Sequence, residues 1–302
     1  MSKWQDVVQV HRLEYPFPIN YLCHAVLGAC YAASSVQQLF TIPVLLSIIA
    51  NLLPIIGGNL LNTAADVSTD AHNRDKRHIA RAALNLGCNH VMSWAAIELA
   101  FALAVATAIA WWLDRALIAV AVALTIALCL LYNLEPVRLK RRGLANPLTL
   151  GAIYGTLPSL VSYATVRPNL TVPMWLIFIG VGTLVAGRAL WWAVPDQIGD
   201  QATGMTTPTV QYGAFPTIVI ACVTTATGLG LVGWGLWSHY GLPWALVGIA
   251  TNGDFLLRKL TLLRRLSDYT VLDTPQIRRQ DLSSIMVTDL LLVLLPLATR
   301  GT

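Results

Sequence analysis

The chain has 302 residues, of which 56% are hydrophobic and only 12% are charged, and its formal net charge is +5. Soluble domains carry about 25% charged residues, and disordered or collagen-like chains are far less hydrophobic. The five cysteines are odd in number and lack a Cys-x-x-Cys pair, so a disulfide-stapled module is excluded. The basic charge has no aromatic-interleaved motif that would indicate a nucleic-acid partner. Composition therefore indicates an integral membrane protein in a lipid bilayer.

Nine apolar stretches are long enough for transmembrane helices. They lie near residues 17–36, 40–64, 88–112, 116–132, 146–166, 171–194, 216–237, 241–257 and 283–299. These stretches predict an all-α, polytopic membrane protein with about nine transmembrane helices in a single domain, residues 1–302.

The basic residues predict the orientation of this domain. Of the 20 Lys and Arg residues, 16 fall in the segments before the first span or after spans 2, 4 and 8, whereas 3 fall in the opposite segments. Cytoplasmic loops carry the excess of Lys and Arg. The amino terminus and the loops on its side are therefore expected to be cytoplasmic, and the carboxyl terminus external.

Two acidic clusters follow apolar spans on the predicted cytoplasmic side. The second span ends in Asn62, Asp66 and Asp70, and the sixth ends in Asp196 and Asp200. Each step is four residues, so on a helix the members of a cluster share one face. The matching positions, four spans apart, suggest a repeat of helices 1–4 in helices 5–8, followed by helix 9.

Aspartates at this spacing need cations. Two carboxylates about 6 Å apart repel by roughly 3 kcal/mol at an effective dielectric constant of about 20. Ligand sets made only of oxygen favour Mg²⁺, which is commonly shared with substrate phosphates. The alternative is that the aspartates are solvated loop charges paired with Arg74, Lys76 and Arg77.

The clusters resemble the motifs of the UbiA superfamily of intramembrane prenyltransferases. Asn62, Asp66 and Asp70 are similar to its N-x-x-x-D-x-x-x-D motif, and Asp196 and Asp200 are similar to its second motif. The segment 132–146 resembles the loop after helix 4 in the chlorophyll-synthase branch. The order and spacing of these motifs agree with the superfamily from the first helices to helix 7.

The resemblance implies a helical bundle around a central cavity, in which an isoprenyl diphosphate binds with Mg²⁺ as the cofactor. It assigns Asn62, Asp66, Asp70, Asp196 and Asp200 to the metal, with the four aspartates as catalytic residues. The expected substrate-binding residues are Asn62, Arg74, Arg77, Arg138, Lys140 and Arg188.

The implied reaction is transfer of the prenyl group to a lipophilic acceptor that is aromatic, quinone-like or related. The alternative is a terpene cyclase of the same superfamily, which converts farnesyl or geranylgeranyl diphosphate to a cyclic terpene. A transporter would instead use discontinuous helices at the membrane midplane, whereas these clusters lie at helix ends.

Some polar residues lie within predicted spans, where an ionised group costs about 2.5–3.5 kcal/mol on insertion scales. Arg188 is expected to bind the diphosphate or to form an ion pair with Asp196 or Asp200. Asn20 and His24 are four residues apart in the first span. They either orient an acceptor or form interhelical hydrogen bonds.

Overall fold

The computed structural model describes residues 3–72, 76–265 and 275–299. All regular elements in these ranges are helical. Six of the helices are long and apolar enough to cross a membrane: α3 (Ile42–Ala65), α6 (Cys88–Leu113), α7 (Ala116–Asn133), α10 (Val172–Trp192), α13 (Ala214–Tyr240) and residues Gln280–Ala298 of α15 (Pro275–Ala298). The predicted all-α membrane fold is confirmed.

The other helices complete the bundle or connect its members. They are α1 (Lys3–Val10), α2 (Phe17–Ala32), α4 (Val67–His72), α5 (Arg77–Leu86), α8 (Ala145–Gly151), α9 (Leu157–Val166), α11 (Gln197–Ala202), α12 (Pro208–Tyr212) and α14 (Leu242–Arg265), with 3₁₀ turns at Val36–Phe40 and Leu139–Arg141.

The predicted count of nine spans is not confirmed, although each of the nine segments is helical. Helix α2 has 16 residues and reaches about 24 Å, less than the roughly 30 Å hydrocarbon core. The predicted fifth span is divided into α8 and α9 by a π-helical turn over Ala152–Thr156. Helix α14 carries Asp254, Arg258 and Lys259 in its second half, which lowers its hydropathy.

Much of the bundle surface is apolar. Within an apolar stretch of 18 residues in α6, only 28% is buried inside the protein. Ile97 and Phe101 on this helix are exposed. Contiguous exposed apolar surface marks contact with a partner or a membrane. With the length of the helices, it identifies the chain as an integral membrane protein.

Helix packing in the bundle relies on close backbone approach and on buried amides. Asn51 of α3 donates from Nδ2 to the carbonyl oxygens of Ala25 (3.0 Å) and Pro158 (2.9 Å), and so ties α3 to α2 and α9. Where α2 crosses α9, a Cβ atom added at Gly28 would overlap the carbonyl oxygen of Ser159 and lie 2.7 Å from the amide nitrogen of Tyr163. Small residues of this kind let membrane helices approach closely.

Replacing Gly28 with alanine is expected to separate α2 from α9 and to lower the free energy of unfolding by about 1–3 kcal/mol, because the added methyl group meets backbone that cannot move aside. Thermal unfolding in detergent micelles measures the effect. The matched control is Gly230→Ala, since Gly230 is an exposed helical glycine at which an added methyl group would meet nothing within 4 Å beyond the adjacent backbone of its own helix. Equal melting temperatures for the two variants would contradict the prediction.

Both acidic clusters lie where a long helix ends, rather than on one uninterrupted helix. Helix α3 ends at Ala65, Asp66 caps it, and α4 begins at Val67. The helical hydrogen bonds nevertheless continue from Asp66 N to Asn62 O (3.0 Å) and from Asp70 N to Asp66 O (2.7 Å). After α10 the chain turns through Pro195, and Asp200 N bonds Asp196 O at 2.9 Å. The helical hydrogen bond between residues four apart is therefore kept in both clusters, although each lies at a break between helices.

Candidate active site

One cavity of about 430 Å³ collects both acidic clusters. The structure places all five predicted metal ligands along it: Asn62, Asp66, Asp70, Asp196 and Asp200. The first three come from the α3–α4 junction and the last two from the α10–α11 junction, so the cavity lies where the two halves of the bundle meet. Both clusters are tied to basic side chains.

The carboxylate of Asp66 accepts two ion pairs from the segment after α7. Arg138 Nη2 lies 2.8 Å from Oδ1, and Lys140 Nζ lies 2.7 Å from Oδ2. The Lys140 ammonium also donates to Asn62 Oδ1 (3.1 Å) and Asn133 Oδ1 (3.3 Å). Burial lowers the pKa of Lys140 below its usual value, although Asp66 opposes that shift. The ammonium is thus a buried charge with three oxygen partners, two of them from α3 and its cap.

Lys76 connects the two clusters. Its Nζ donates to Asp196 Oδ2 at 2.8 Å, across 120 residues of sequence. Burial alone would lower the pKa of Lys76, but Asp196 and Asp70 raise it above the usual value. A residue of the first half of the chain therefore neutralises a carboxylate of the second half.

The negative charges of Asp70 and Asp200 are less fully balanced by basic side chains than the charge of Asp66. Within the described residues, Asp70 Oδ2 is buried and has no hydrogen-bond partner. Burial raises the pKa of Asp70, and repulsion from Asp66 and Asp196 adds to the shift. Burial and the neighbouring Asp196 raise the pKa of Asp200 to about 6. The cavity therefore holds carboxylates that would be stabilised by further positive charge.

Arg12, between α1 and α2, was missed as a site residue. It lies on the cavity wall with a backbone φ of 52°, and its Nε has no hydrogen-bond partner among the described residues. Burial opposes its charge, but Asp70 holds its pKa above the usual value. In the sequence it was only one of two basic residues before the first span, and no local pattern connects it to Asp70.

The other expected diphosphate ligands do not all lie on the cavity wall. Arg138 and Lys140 bind Asp66, as described above. Arg77 is exposed, contacts the carbonyl oxygen of Ala71 and does not line the cavity. Arg74 lies outside the described residues. Of the expected set, Asn62, Lys140 and Arg188 line the cavity itself.

Arg188 forms its ion pair with Asp289 of α15, which was not the predicted partner. Its Nη1 lies 2.7 Å from Asp289 Oδ1, and its Nη2 donates to Thr288 Oγ1 at 3.1 Å. The prediction that Asp196 or Asp200 is the partner is wrong, because α15 brings its own carboxylate to this level of α10. Asp289 also accepts from Asn20 Nδ2 (3.0 Å) and lies 3.4 Å from His24 Nε2.

The donor set fits Mg²⁺. It consists of oxygen atoms alone, and the partnerless Asp70 Oδ2 is an available ligand atom. Among the described residues, no three His, Cys, Asp or Glu side chains are grouped closely enough to hold one ion by themselves. Mg²⁺ does not require such a cage, because proteins usually supply one or two carboxylates while water and substrate phosphates fill the other positions.

A larger, more open groove of about 740 Å³ lies between α14 and α15. Its charged residues are the ion-paired Asp254 and Arg258, and the rest of its lining includes Ser284 and Thr288. It contains none of the motif aspartates. The smaller, deeper cavity is therefore the candidate active site.

Solved structures share this fold. A UbiA homolog from Archaeoglobus fulgidus, in a structure bound to DMAPP and Mg²⁺, matches with a TM-score of 0.74 over 98% of this chain and 99% of that chain, at 14% identity. A structure of digeranylgeranylglyceryl phosphate synthase matches with a TM-score of 0.68 over the full length of both chains, at 16% identity.

Among characterised sequences, the chain is 28% identical over 148 residues to homogentisate phytyltransferase from Synechocystis sp.. The match spans 46% of this chain and 47% of that relative, so about half the length of each protein is covered. This relative falls in the same branch as chlorophyll synthase, in agreement with the resemblance of the segment 132–146.

The UbiA prenyltransferase family matches residues 21–271, a range that contains both acidic clusters and the basic segment after α7. Together with the shared fold, this match establishes that the chain belongs to the UbiA prenyltransferase family.

Proposed function

We propose that the chain transfers a prenyl group from an isoprenyl diphosphate to a lipophilic, aromatic or quinone-like acceptor, and that the reaction depends on Mg²⁺. The observation that carries the proposal is the convergence of two acidic clusters and buried basic residues on one cavity. Family membership and the names of the relatives support it: one is a phytyltransferase, and a UbiA homolog binds DMAPP and Mg²⁺.

In this proposal Asn62, Asp66, Asp70, Asp196 and Asp200 hold Mg²⁺ at the diphosphate. Bound Mg²⁺ supplies positive charge that neutralises the diphosphate as a leaving group. The carboxylates line the cavity from both halves of the chain, and in the proposed complex they fix where the diphosphate lies. A preorganised set of charges costs little reorganisation during the reaction.

Arg12, Lys76 and Lys140 are the basic residues of the cavity that complement the diphosphate. Arg138 lies behind Asp66 and holds its carboxylate in place. An arginine presents several donors in a rigid fork that suits phosphate oxygens. Arg12 has an unused Nε donor on this wall, so we assign it to direct contact with the diphosphate.

The deeper walls suit an allylic cation. Asn59 links two tyrosines, donating to Tyr21 OH and accepting from Tyr154 OH, each at 3.0 Å. The Tyr21 ring stacks on Phe17 and lies 6.4 Å from the Tyr154 ring. Aromatic faces attract cations, and an enclosed site keeps water from the reactive carbon. We also propose that this end of the bundle is cytoplasmic, because most Lys and Arg residues lie in its loops.

Removing one carboxylate is expected to leave a folded protein with far less activity. Asp66→Asn or Asp200→Asn should lower turnover by at least about 10²-fold, the scale of losing one preorganised charge-stabilising group. EDTA should abolish activity and Mg²⁺ should restore it. Asp114→Asn is the control, because Asp114 lies between α6 and α7, away from the cavity, at a φ of 55° that asparagine tolerates. Full activity in metal-free buffer would contradict the assignment.

Arg12 and Arg77 form a matched pair of substitutions. Arg12→Gln is expected to weaken the binding of a prenyl diphosphate at least about 10-fold, because a hydrogen bond to a charged group contributes about 1.5–3 kcal/mol. Arg77→Gln should change it less than about 2-fold, since Arg77 is exposed outside the cavity. Isothermal titration with an unreactive thiolo-diphosphate analogue in the presence of Mg²⁺ measures both. The reverse order of effects would overturn the assignment of Arg12.

The acceptor dependence of diphosphate release separates transfer from cyclisation. Purified protein with geranylgeranyl diphosphate and Mg²⁺ is expected to release pyrophosphate slowly, and a lipophilic aromatic acceptor should accelerate the release and yield a prenylated product. Analysis of organic extracts identifies that product. Rapid formation of a cyclic hydrocarbon or terpene alcohol without an acceptor would instead assign the chain to the cyclases.

A further inference from the structure

A polar wall formed by Asn20, His24 and Arg188 faces the same cavity as the aspartates. Asn20 and His24 come from the first turns of α2, and Arg188 comes from α10, two turns before Asp196. None of the three residues is more than 9% exposed. None of the three residues belongs to the acidic clusters, and the proposed diphosphate site assigns them no role.

Asp289 of α15 holds the wall together. Its Oδ1 accepts from Arg188, while its Oδ2 accepts from Asn20 and faces His24. The carboxylate therefore fixes three side chains on two other helices. Asp289 lies beyond residue 271, where the family match ends, and Asn20 precedes its first residue. The wall is thus assembled partly from residues outside the segment matched by the family.

Two atoms on this wall are left for a ligand. Asn20 Oδ1 is buried and has no hydrogen-bond partner among the described residues. Leaving a buried acceptor of this kind without a donor is unfavourable. A neutral imidazole that donates from Nε2 to Asp289 keeps a lone pair on Nδ1. His24 lines the cavity, and its Nε2 is the ring nitrogen that faces Asp289. The wall thus offers a hydrogen-bond acceptor, Asn20 Oδ1, beside a proton acceptor, the imidazole of His24.

We infer that this wall binds the hydroxylated ring of the acceptor and that His24, oriented by Asp289, takes the proton which the acceptor loses. This inference rests on the proposed transfer reaction. Asn20 Oδ1 accepts a hydrogen bond from a ring hydroxyl. Asp289 does not contact the acceptor; it is a positioning residue that holds the imidazole and the guanidinium, as in other carboxylate–histidine pairs.

The step balances with the groups at hand. The C1–O bond of the prenyl diphosphate breaks, and its electron pair leaves with the diphosphate. A ring carbon next to the hydroxyl forms the new bond to C1 as the hydroxyl proton passes to His24 Nδ1. The proton on the attacked ring carbon then moves to the oxygen, which restores the aromatic ring. The acceptor loses one proton in all, and His24 later releases it to solvent.

A purely structural role would also explain why α15 carries Asp289, because buried charges in membrane proteins are usually paired. That role accounts for the ion pair with Arg188 but not for the orphaned oxygen of Asn20. It also does not require the histidine to line the cavity. The two roles predict different results when donor binding and product formation are measured separately.

The test uses the full-length protein in detergent with geranylgeranyl diphosphate, Mg²⁺ and either homogentisate or 1,4-dihydroxynaphthalene as the acceptor probe. The variants are His24→Gln and Asp289→Asn. The control is Glu98→Gln, which removes another carboxylate facing a histidine, since Glu98 Oε1 lies 3.3 Å from His11 Nε2 outside the cavity. Product formation is measured by extraction, and donor affinity by titration with the unreactive thiolo-diphosphate analogue.

Product formation is expected to fall at least about 10²-fold in His24→Gln, the usual contribution of a general base, while donor affinity stays within about 2-fold. Asp289→Asn should lower kcat in the same direction by a smaller factor. Imidazole added to His24→Ala should restore product at least about 10-fold. Glu98→Gln should leave both measurements within about 2-fold of the unsubstituted protein.

Product formation above one tenth of normal in His24→Gln would overturn the inference. So would a parallel loss of donor affinity without rescue by imidazole, because that is the result of a structural role. If His24→Gln does not fold, Asn20→Ala replaces it and should raise the acceptor KM at least about 10-fold with unchanged donor affinity. Failure of both variants to fold would identify the cluster as structural. An unsubstituted protein that transfers to neither acceptor overturns the proposed function itself.

Discussion

Charge compensation inside a low-dielectric cavity is the constraint on which the rest of the structure depends. Four aspartates converge there, and the fold supplies their counter-charges from distant parts of the chain: Lys140 from the segment after α7 and Lys76 from the segment after α4. Leaving a buried charge without its partner costs about 3–5 kcal/mol. Lys76 and Lys140 are therefore held against the bundle by the same carboxylates that line the cavity.

Local sequence patterns were sufficient to predict that the nine apolar segments are helical and that the acidic clusters follow long helices. Hydropathy over about 18 residues depends only on neighbours in sequence, and the spacing of Asp66 and Asp70 is kept by helical hydrogen bonds that continue past the end of α3. The motifs also indicated the family. The ion pairs of Asp66 with Arg138 and Lys140 were not predicted, because these basic residues lie more than 70 positions away.

Ion pairs between residues far apart in the sequence could not be predicted from it. Arg188 and Asp289 are 101 residues apart, and they meet because α15 packs against α2 and the Arg188 side chain reaches Asp289 from α10. Spacing along α10 pointed instead to Asp196, which is occupied by Lys76. Arg12 illustrates the same limit: its importance comes from a turn that brings it beside Asp70, and nothing in its neighbours indicates that position. The predicted orientation and the repeat of the two halves remain predictions.

The pairing of Asp66 with Lys140 and Arg138 has a thermodynamic consequence for a protein with the proposed function. Lys140 and Arg138 contact the two carboxylate oxygens of Asp66 that the proposed function assigns to a metal ion. A diphosphate that bound Lys140 would compete with Asp66 for the lysine's charge, and would leave carboxylate oxygen for Mg²⁺. Because such coupling is reciprocal, each ligand would raise the affinity of the cavity for the other.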